Sequence, residues 1–397
     1  MAGEGVTPEL QQPAPAAASP SKGPGRLLFV DNIRIFLTIL VILHHLMVIY
    51  AGTGGWIFHE GREDEIANAL GGWFCAVNQA YFMGLFLFIS AYFVPGSFDR
   101  KGPSRFAIDR LVRLGIPLVV YSWVLRPLFI YFVLHLREGM RFGAWYRAVY
   151  FRTYGILGGG PLWFIELLLL FSLVYVAARL LMPRRPPGPA PEGAFPSSGR
   201  IGLFALLLGI VSFVVRLEFR VDESFRPLNF QFANFAQYTA LFVAGLVAYR
   251  RNWLLSLPDR VGRRWLRIAI LLVFVYPLAG LVAGDLEVFN PFKGGWYWQS
   301  MLSAQWEAFM CVSMCIGLVY LFRHRWNRQG TVAREMSRAA YAAYLIHEPV
   351  ITVLAVQTMG VMLYPLLKFG LAAVVAAPLC FVLAVLIRRL PYFDRVL

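Results

Sequence analysis

Residues 27–50 read Leu-Leu-Phe-Val-Asp-Asn-Ile-Arg-Ile-Phe-Leu-Thr-Ile-Leu-Val-Ile-Leu-His-His-Leu-Met-Val-Ile-Tyr. The run is long enough to cross a bilayer, yet it carries Asp31, Arg34, His44 and His45 where a plain anchor would carry no charge. On an α-helix at ~100° per residue, the eleven-residue step from Arg34 to His45 returns to within about 20° of the same face. The two side chains share a stripe and are separated by roughly 16 Å along the axis. His44 points about 80° away from Arg34 and reads as packing. An ionisable residue inside a membrane helix is costly unless it faces a bundle interior or a wet cavity, so the Arg34 to His45 stripe is expected to line a functional path.

The rest of the chain agrees with a membrane setting. Of 397 residues, 58% are hydrophobic and only 15% charged, against about 25% charged in soluble domains. Mean hydropathy is +0.60. The net charge of +15 would suit nucleic acid, but the basic residues are scattered between apolar segments and form no single patch, which argues against that partner. Apolar runs predict an all-α polytopic membrane protein with about ten transmembrane helices, near 28–50, 72–94, 114–135, 161–182, 201–217, 231–250, 266–284, 300–322, 338–357 and 364–387. With both termini cytoplasmic, 25 of the 37 Lys and Arg fall in cytoplasmic segments, ten on the other side, and Arg34 and Arg126 within the membrane. That bias follows the positive-inside rule and sets Arg34 in the inner third of the first helix and His45 toward its outer third.

Residues 1–25, rich in Ala, Pro, Gly and Ser, read as a disordered cytoplasmic tail. They do not lead into a signal peptide, because the following apolar run is too long and holds Arg34. Residues 26–390 form the membrane domain, interrupted by a Pro-rich cytoplasmic linker at 183–200, and 391–397 are a short C-terminal tail. Cys75, Cys311, Cys315 and Cys380 all lie in or beside apolar segments and imply no disulfide framework. No His-x-x-x-His or Cys-x-x-Cys pairing exists, so no metal is expected, and no Gly-x-Ser-x-Gly nucleophile motif is present. Trp56, Trp73, Trp296 and Trp298 read as interfacial anchors in preference to sugar platforms.

Further polar groups fall near the first helix in depth. Arg110 and Arg113, three apart, are expected on one helical face at the cytoplasmic boundary, where guanidinium forks suit phosphates or, alternatively, lipid headgroups. Gly158-Gly159-Gly160-Pro161 opens the fourth helix and places Glu166 near the depth of His45, where a carboxylate would fix the imidazole tautomer; pairing with an arginine is the structural alternative. Arg126 interrupts the third helix beside prolines. In the ninth, Tyr341, Tyr344 and Glu348 share a side, with His347 near mid-membrane.

Taken in order, these residues resemble the membrane-bound acyltransferases of the acyltransferase 3 group. The match comprises Arg34 followed by His45, Phe88-Ile89-Ser90 closing the second helix, and Arg110-x-x-Arg113. It continues with Trp163-Phe164-x-Glu166 and the stretch from Tyr341 to Pro349. Asp31-Asn32-Ile33-Arg34 and Arg113 to Pro117 look closest to the branch of the glucan biosynthesis protein C type. The resemblance implies transfer of an acetyl, succinyl or similar group from cytosolic acyl-CoA to a hydroxyl of a glycan, lipid-linked sugar or small molecule, with no permanently bound cofactor. It implies His45, Arg34 and Glu166 as catalytic residues and Arg110, Arg113 and Ser90 as donor-binding residues. Arg126, Tyr341, Tyr344 and His347 would line a substrate path. Glucan modification in a cell membrane, the inner one in a Gram-negative bacterium, follows. One departure stands out: that family carries Ser-Gly where this chain has Ser90-Ala91. The rival class is a secondary transporter or flippase with an intramembrane relay.

Overall fold

A computed structural model describes residues 26–51, 54–60, 64–135, 139–157, 160–182, 194–225, 228–283, 291–391 and 393, with side chains beyond 275 in the 228–283 segment excluded. The expected N-terminal tail, residues 183–193 of the linker and nearly all of the C-terminal tail lie outside the described residues.

Ten long helices follow one another: α1 Leu28–Tyr50, α2 Glu65–Tyr92, α3 Pro103–Phe132, α4 Trp163–Leu181 and α5 Ser198–Arg216. Then come α6 Phe235–Arg250, α7 Asp259–Ala283, α8 Trp298–Arg325, α9 Thr331–Gln357 and α10 Pro365–Arg388. Among the described residues nine of these spans are long and apolar enough to cross a membrane, and α7 is a further helix in the place expected for the seventh. The chain is an all-α polytopic membrane protein. Several helices outrun their apolar cores, because charged or polar turns continue the same hydrogen-bonded ladder into water. Helix α9 begins at Thr331, not near 338, and α2 begins at Glu65, where the Asp64 side chain accepts the Ala67 N–H at 2.8 Å.

Helix α1 sits at the centre, packed against α2, α8, α9 and α10. Its N-terminal turn is tied to the α8–α9 connection: the Asn32 amide donates to the carbonyls of Trp326 (2.6 Å) and Arg328 (3.0 Å). Ala339, Ala340, Ala342 and Ala343 of α9 are buried, and small residues let the α9 backbone come close to α1. A similar approach brings α6 onto α2: a Cβ on Gly245 would lie 2.3 Å from the Phe88 carbonyl oxygen and 2.7 Å from the Ala91 Cβ. The glycine missing after Ser90 is thus matched by one on the facing helix.

Helix α3 departs from regular winding at Leu111–Gly115 and Tyr121–Leu125, where the hydrogen bonds widen to π-helical turns. Pro117 and Pro127 explain the disturbance. Each lacks an N–H, so the carbonyls of Arg113 and Trp123, four residues earlier, have no α-helical donor. Around Trp123, inside the span, lipid cannot supply one. Tyrosines do: the Tyr341 hydroxyl donates to the Arg113 carbonyl (2.7 Å), Tyr146 to Trp123 (2.8 Å) and Tyr150 to Ser122 (2.6 Å).

Candidate active site

The centre of the bundle is a histidine pair. The Nδ1 of His45, on α1, lies 3.0 Å from the Nε2 of His347, on α9, with the rings near parallel at 18°. The other ring nitrogen of His347, Nδ1, lies 2.5 Å from the backbone carbonyl of Tyr344. That carbonyl only accepts, so His347 Nδ1 carries a proton and donates it. Neutral His347 then offers the Nε2 lone pair, which accepts from His45 Nδ1–H. The lone pair of His45 is left on Nε2. The Tyr344 carbonyl sets the tautomer of His347, and His45 is oriented by His347 together with a hydrogen bond to the Val41 backbone.

Two other rings border the pair. The Trp56 indole stacks on His45 with centroids 4.0 Å apart, and His44 meets His45 edge-on at 5.4 Å. Trp56 was expected as an interfacial anchor; the chain beyond α1 instead folds back and lays it on the imidazole. His44 is buried against Phe82, 5.1 Å between centroids, which agrees with packing.

Glu166 does occupy the first turn of α4, after a short 3-10 turn at Gly160–Leu162 that contains Pro161. It is buried, but neither carboxylate oxygen makes a hydrogen bond among the described residues. The expectation that Glu166 orients His45 is therefore corrected: His347 does so. Equal depth on two helices does not fix which way each side chain points.

The acid paired with an arginine is Glu348, next to His347 on α9. Its carboxylate accepts from Arg126 Nε at 3.3 and 3.4 Å and from the Tyr121 hydroxyl, and both Glu348 and Arg126 are buried. Gly160 makes room for it, since a Cβ there would lie within 2.8 Å of the carboxylate oxygens, and its φ of +47° also favours glycine. Tyr344, buried, donates its hydroxyl to the Pro161 carbonyl. Tyr341, Tyr344 and Arg126, expected along a substrate path, thus act in this structure as ties between α3, α4 and α9.

Toward the N-terminal end of α1, Arg34 lies 3.6 Å from Asp31, and its guanidinium covers the Phe93 ring at 4.8 Å. It keeps 36% of its side-chain surface accessible. Ser90 is half-buried one helical turn before Phe93. Arg110 is close enough to Arg34 to interact electrostatically; its guanidinium sits over Phe106 at 4.9 Å, and its buried Nε has no partner among the described residues. Arg113 instead faces outward, 55% of its side chain exposed, and pairs with Asp109 at 3.3 Å. Arg110 and Arg113 remain close enough to interact electrostatically, across the π-turn that starts at Leu111, but differ in exposure. A basic groove beside them is lined by Lys101, Arg105, Ile108, Asp109 and Val112.

Fold and site together define a polytopic membrane protein with a histidine pair between its central helices. The chain belongs to the acyltransferase 3 family, whose model, an acyltransferase domain, matches residues 27–387, from the residue before α1 to the last turn of α10. It is similar to glucans biosynthesis protein C of Salmonella gallinarum (strain 287/91), 25% identical over 342 residues and 82% of each chain. The same protein of Salmonella schwarzengrund is 24% identical over the same share. No solved structure matches. The chain is a multi-pass membrane acyltransferase.

Proposed function

We propose that the chain moves an acetyl, succinyl or similar group from cytosolic acyl-CoA to a hydroxyl of a glycan, lipid-linked sugar or small molecule, with His45 as general base. The observation that carries this reading is the hydrogen-bond chain from the Tyr344 carbonyl through His347 to His45, which leaves a basic Nε2 on an enclosed imidazole. In the reaction, His45 Nε2 takes the acceptor hydroxyl proton as that oxygen attacks the thioester carbonyl. The C–O bond forms, the C–S bond breaks, and the imidazolium returns the proton to the departing CoA thiolate. His347 shares the charge that develops on His45 through the bond between the rings.

The excess of Lys and Arg in alternate loops supports cytoplasmic termini, and in that orientation the Arg34 end of α1 faces the donor and the His45 end faces the acceptor. Arg110, Arg34 and the basic groove at Lys101 and Arg105 receive the CoA phosphates, and Arg113 borders that entrance. Ser90 lies beside the passage. Relatives named for glucan biosynthesis support a glucan acceptor and, in a Gram-negative cell, the inner membrane.

The test uses the purified chain in proteoliposomes with radiolabelled acetyl-CoA or succinyl-CoA and a β-glucan oligosaccharide. Label appearing in an ester of the oligosaccharide, with stoichiometric CoA release, is expected. Uptake of label by counterflow without CoA release would make the chain a transporter and overturn the proposal.

A further inference from the structure

The segment at 54–60 does more than connect α1 to α2. It turns back along α1 from the C-terminal end of that helix, and each contact holding it there is specific. The last carbonyls of a helix have no intrahelical donor. Here the carbonyl of Ile49 accepts the Glu60 N–H at 3.1 Å and that of Val48 accepts from His59 Nδ1, also at 3.1 Å. Gly54, at φ +149°, lies in the glycine-favouring region as the chain reverses.

Glu60 then forms an ion pair with Lys368 of α10, in which both side chains are 5% exposed. The Lys368 ammonium also donates to the carbonyls of Thr358 (2.7 Å) and Val361 (3.1 Å) and sits 5.6 Å from the centre of the Tyr50 ring. A buried pair satisfied on several sides holds its geometry, and loss of one partner leaves an uncompensated charge. The product of this arrangement is the position of Trp56. Its ring lies on His45 at 4.0 Å and 24° and is 6.2 Å from His347, and its Nε1 is buried with no partner among the described residues. An orphaned buried donor on a ring stacked against the imidazole is unfavourable unless a ligand oxygen uses it.

We propose that Trp56 is a positioning and water-excluding residue for His45, held down by the Glu60–Lys368 pair, and that the acceptor reaches His45 by displacing this cover. The indole fixes the plane of the imidazole, and its N–H is available to an oxygen of the arriving acceptor. With the cover down, bulk water is kept from the site, which protects a thioester from hydrolysis to free acid and CoA thiol. The proposal deepens the general-base reading of His45 and rests on it for the chemistry, though not for the access.

Access is measured without turnover, by carbethoxylation with diethylpyrocarbonate of the full chain in nanodiscs. Tandem mass spectrometry separates His45 from His44, and exposed His324 serves as the internal reference. The Trp56→Ala protein and the Glu60→Gln/Lys368→Met protein are expected to label His45 about tenfold faster than wild type, as loss of a local closing interaction increases the open population. Trp56→Phe, which keeps an aromatic cover, is expected to label near the wild-type rate. The His324 rate should be the same in all four.

Equal His45 labelling in wild type and both opened variants overturns the proposal. Equal labelling of Trp56→Ala and Trp56→Phe, both fast, overturns the role of the ring. Acetyl-CoA hydrolysis without acceptor, read as CoA release, should rise in the opened variants and vanish when His45→Ala is added. Faster His45 labelling with no acetyl-CoA turnover in any variant would leave the cover standing and remove the acyltransfer reading instead.

Discussion

His347 Nε2 accepts from His45 Nδ1 at 3.0 Å, and the partner that fixes His347 is a main-chain carbonyl three residues back on the same helix. A backbone atom cannot titrate, so this orientation does not depend on the charge of a neighbouring acid. In that respect the site differs from a base oriented by a carboxylate, the arrangement that Glu166 promised from its position in the sequence.

The pair makes His347 a positioning residue with a graded response. His347→Ala removes the ring that accepts from His45 and leaves the Val41 backbone as its remaining hydrogen-bond partner, and transfer should fall by up to about 10²-fold, the lower end of what general-base catalysis supplies. His347→Gln, whose amide can accept from His45 and donate to the Tyr344 carbonyl, should recover part of that loss. Steady-state kinetics are expected to place both effects in kcat, with KM for acyl-CoA little changed.

Arg126 and Glu348 are a buried ion pair, so single substitutions should be worse than the double one. Glu348→Ala strands a buried guanidinium and should cost about 3–5 kcal/mol, whereas Arg126→Met/Glu348→Met removes both charges and should lie well above it in thermal stability. A double variant less stable than either single one would contradict the pairing.

Tyrosine support of the α3 carbonyls is open to a double-mutant cycle. Tyr341→Phe should lower stability by about 0.5–1.5 kcal/mol, the net worth of one hydrogen bond. In a Pro117→Ala background the restored N–H serves the same carbonyl, and the cost of Tyr341→Phe should shrink. Equal costs in both backgrounds would show that the proline is not the reason for the tyrosine.

At the α2–α6 contact, Gly245→Val should destabilise by at least ~1–3 kcal/mol through overpacking, because the new Cβ would fall 2.3 Å from the Phe88 carbonyl oxygen. Ala91→Gly alone should be mild. Thermal unfolding of the detergent-solubilised chain reads both, and a stable Gly245→Val protein would mean that the helices are not so closely packed.

Much of the architecture was legible because hydrophobic runs and local helical geometry are properties of neighbouring residues. The helical face shared by Arg34 and His45 needed only the rise and turn of one helix. The partner of His45 lies 302 residues away, and nothing in the spacing of α1 and α9 states how the two helices are rotated. Glu166 failed for that reason: its depth was inferable, its azimuth was not. Arg110 and Arg113 could be read as neighbours; that one guanidinium would cover Phe106 while the other stays exposed against Asp109 could not. Trp56 carried the composition of an interfacial residue, and only the fold-back of its segment brings it to His45. Prolines at 117 and 127 and tyrosines at 146, 150 and 341 were visible as residues, but their matching as missing donor and replacement donor required the packed helices.

The central claim is that His45 is the base for acyl transfer. The most direct measurement is a single-turnover reaction in proteoliposomes, mixing radiolabelled acetyl-CoA with a β-glucan oligosaccharide and following ester formation by wild type and by a folded His45→Ala protein. The account predicts a loss of about 10²–10⁴-fold in the transfer rate for His45→Ala. Ester formation by His45→Ala at the wild-type rate would contradict it.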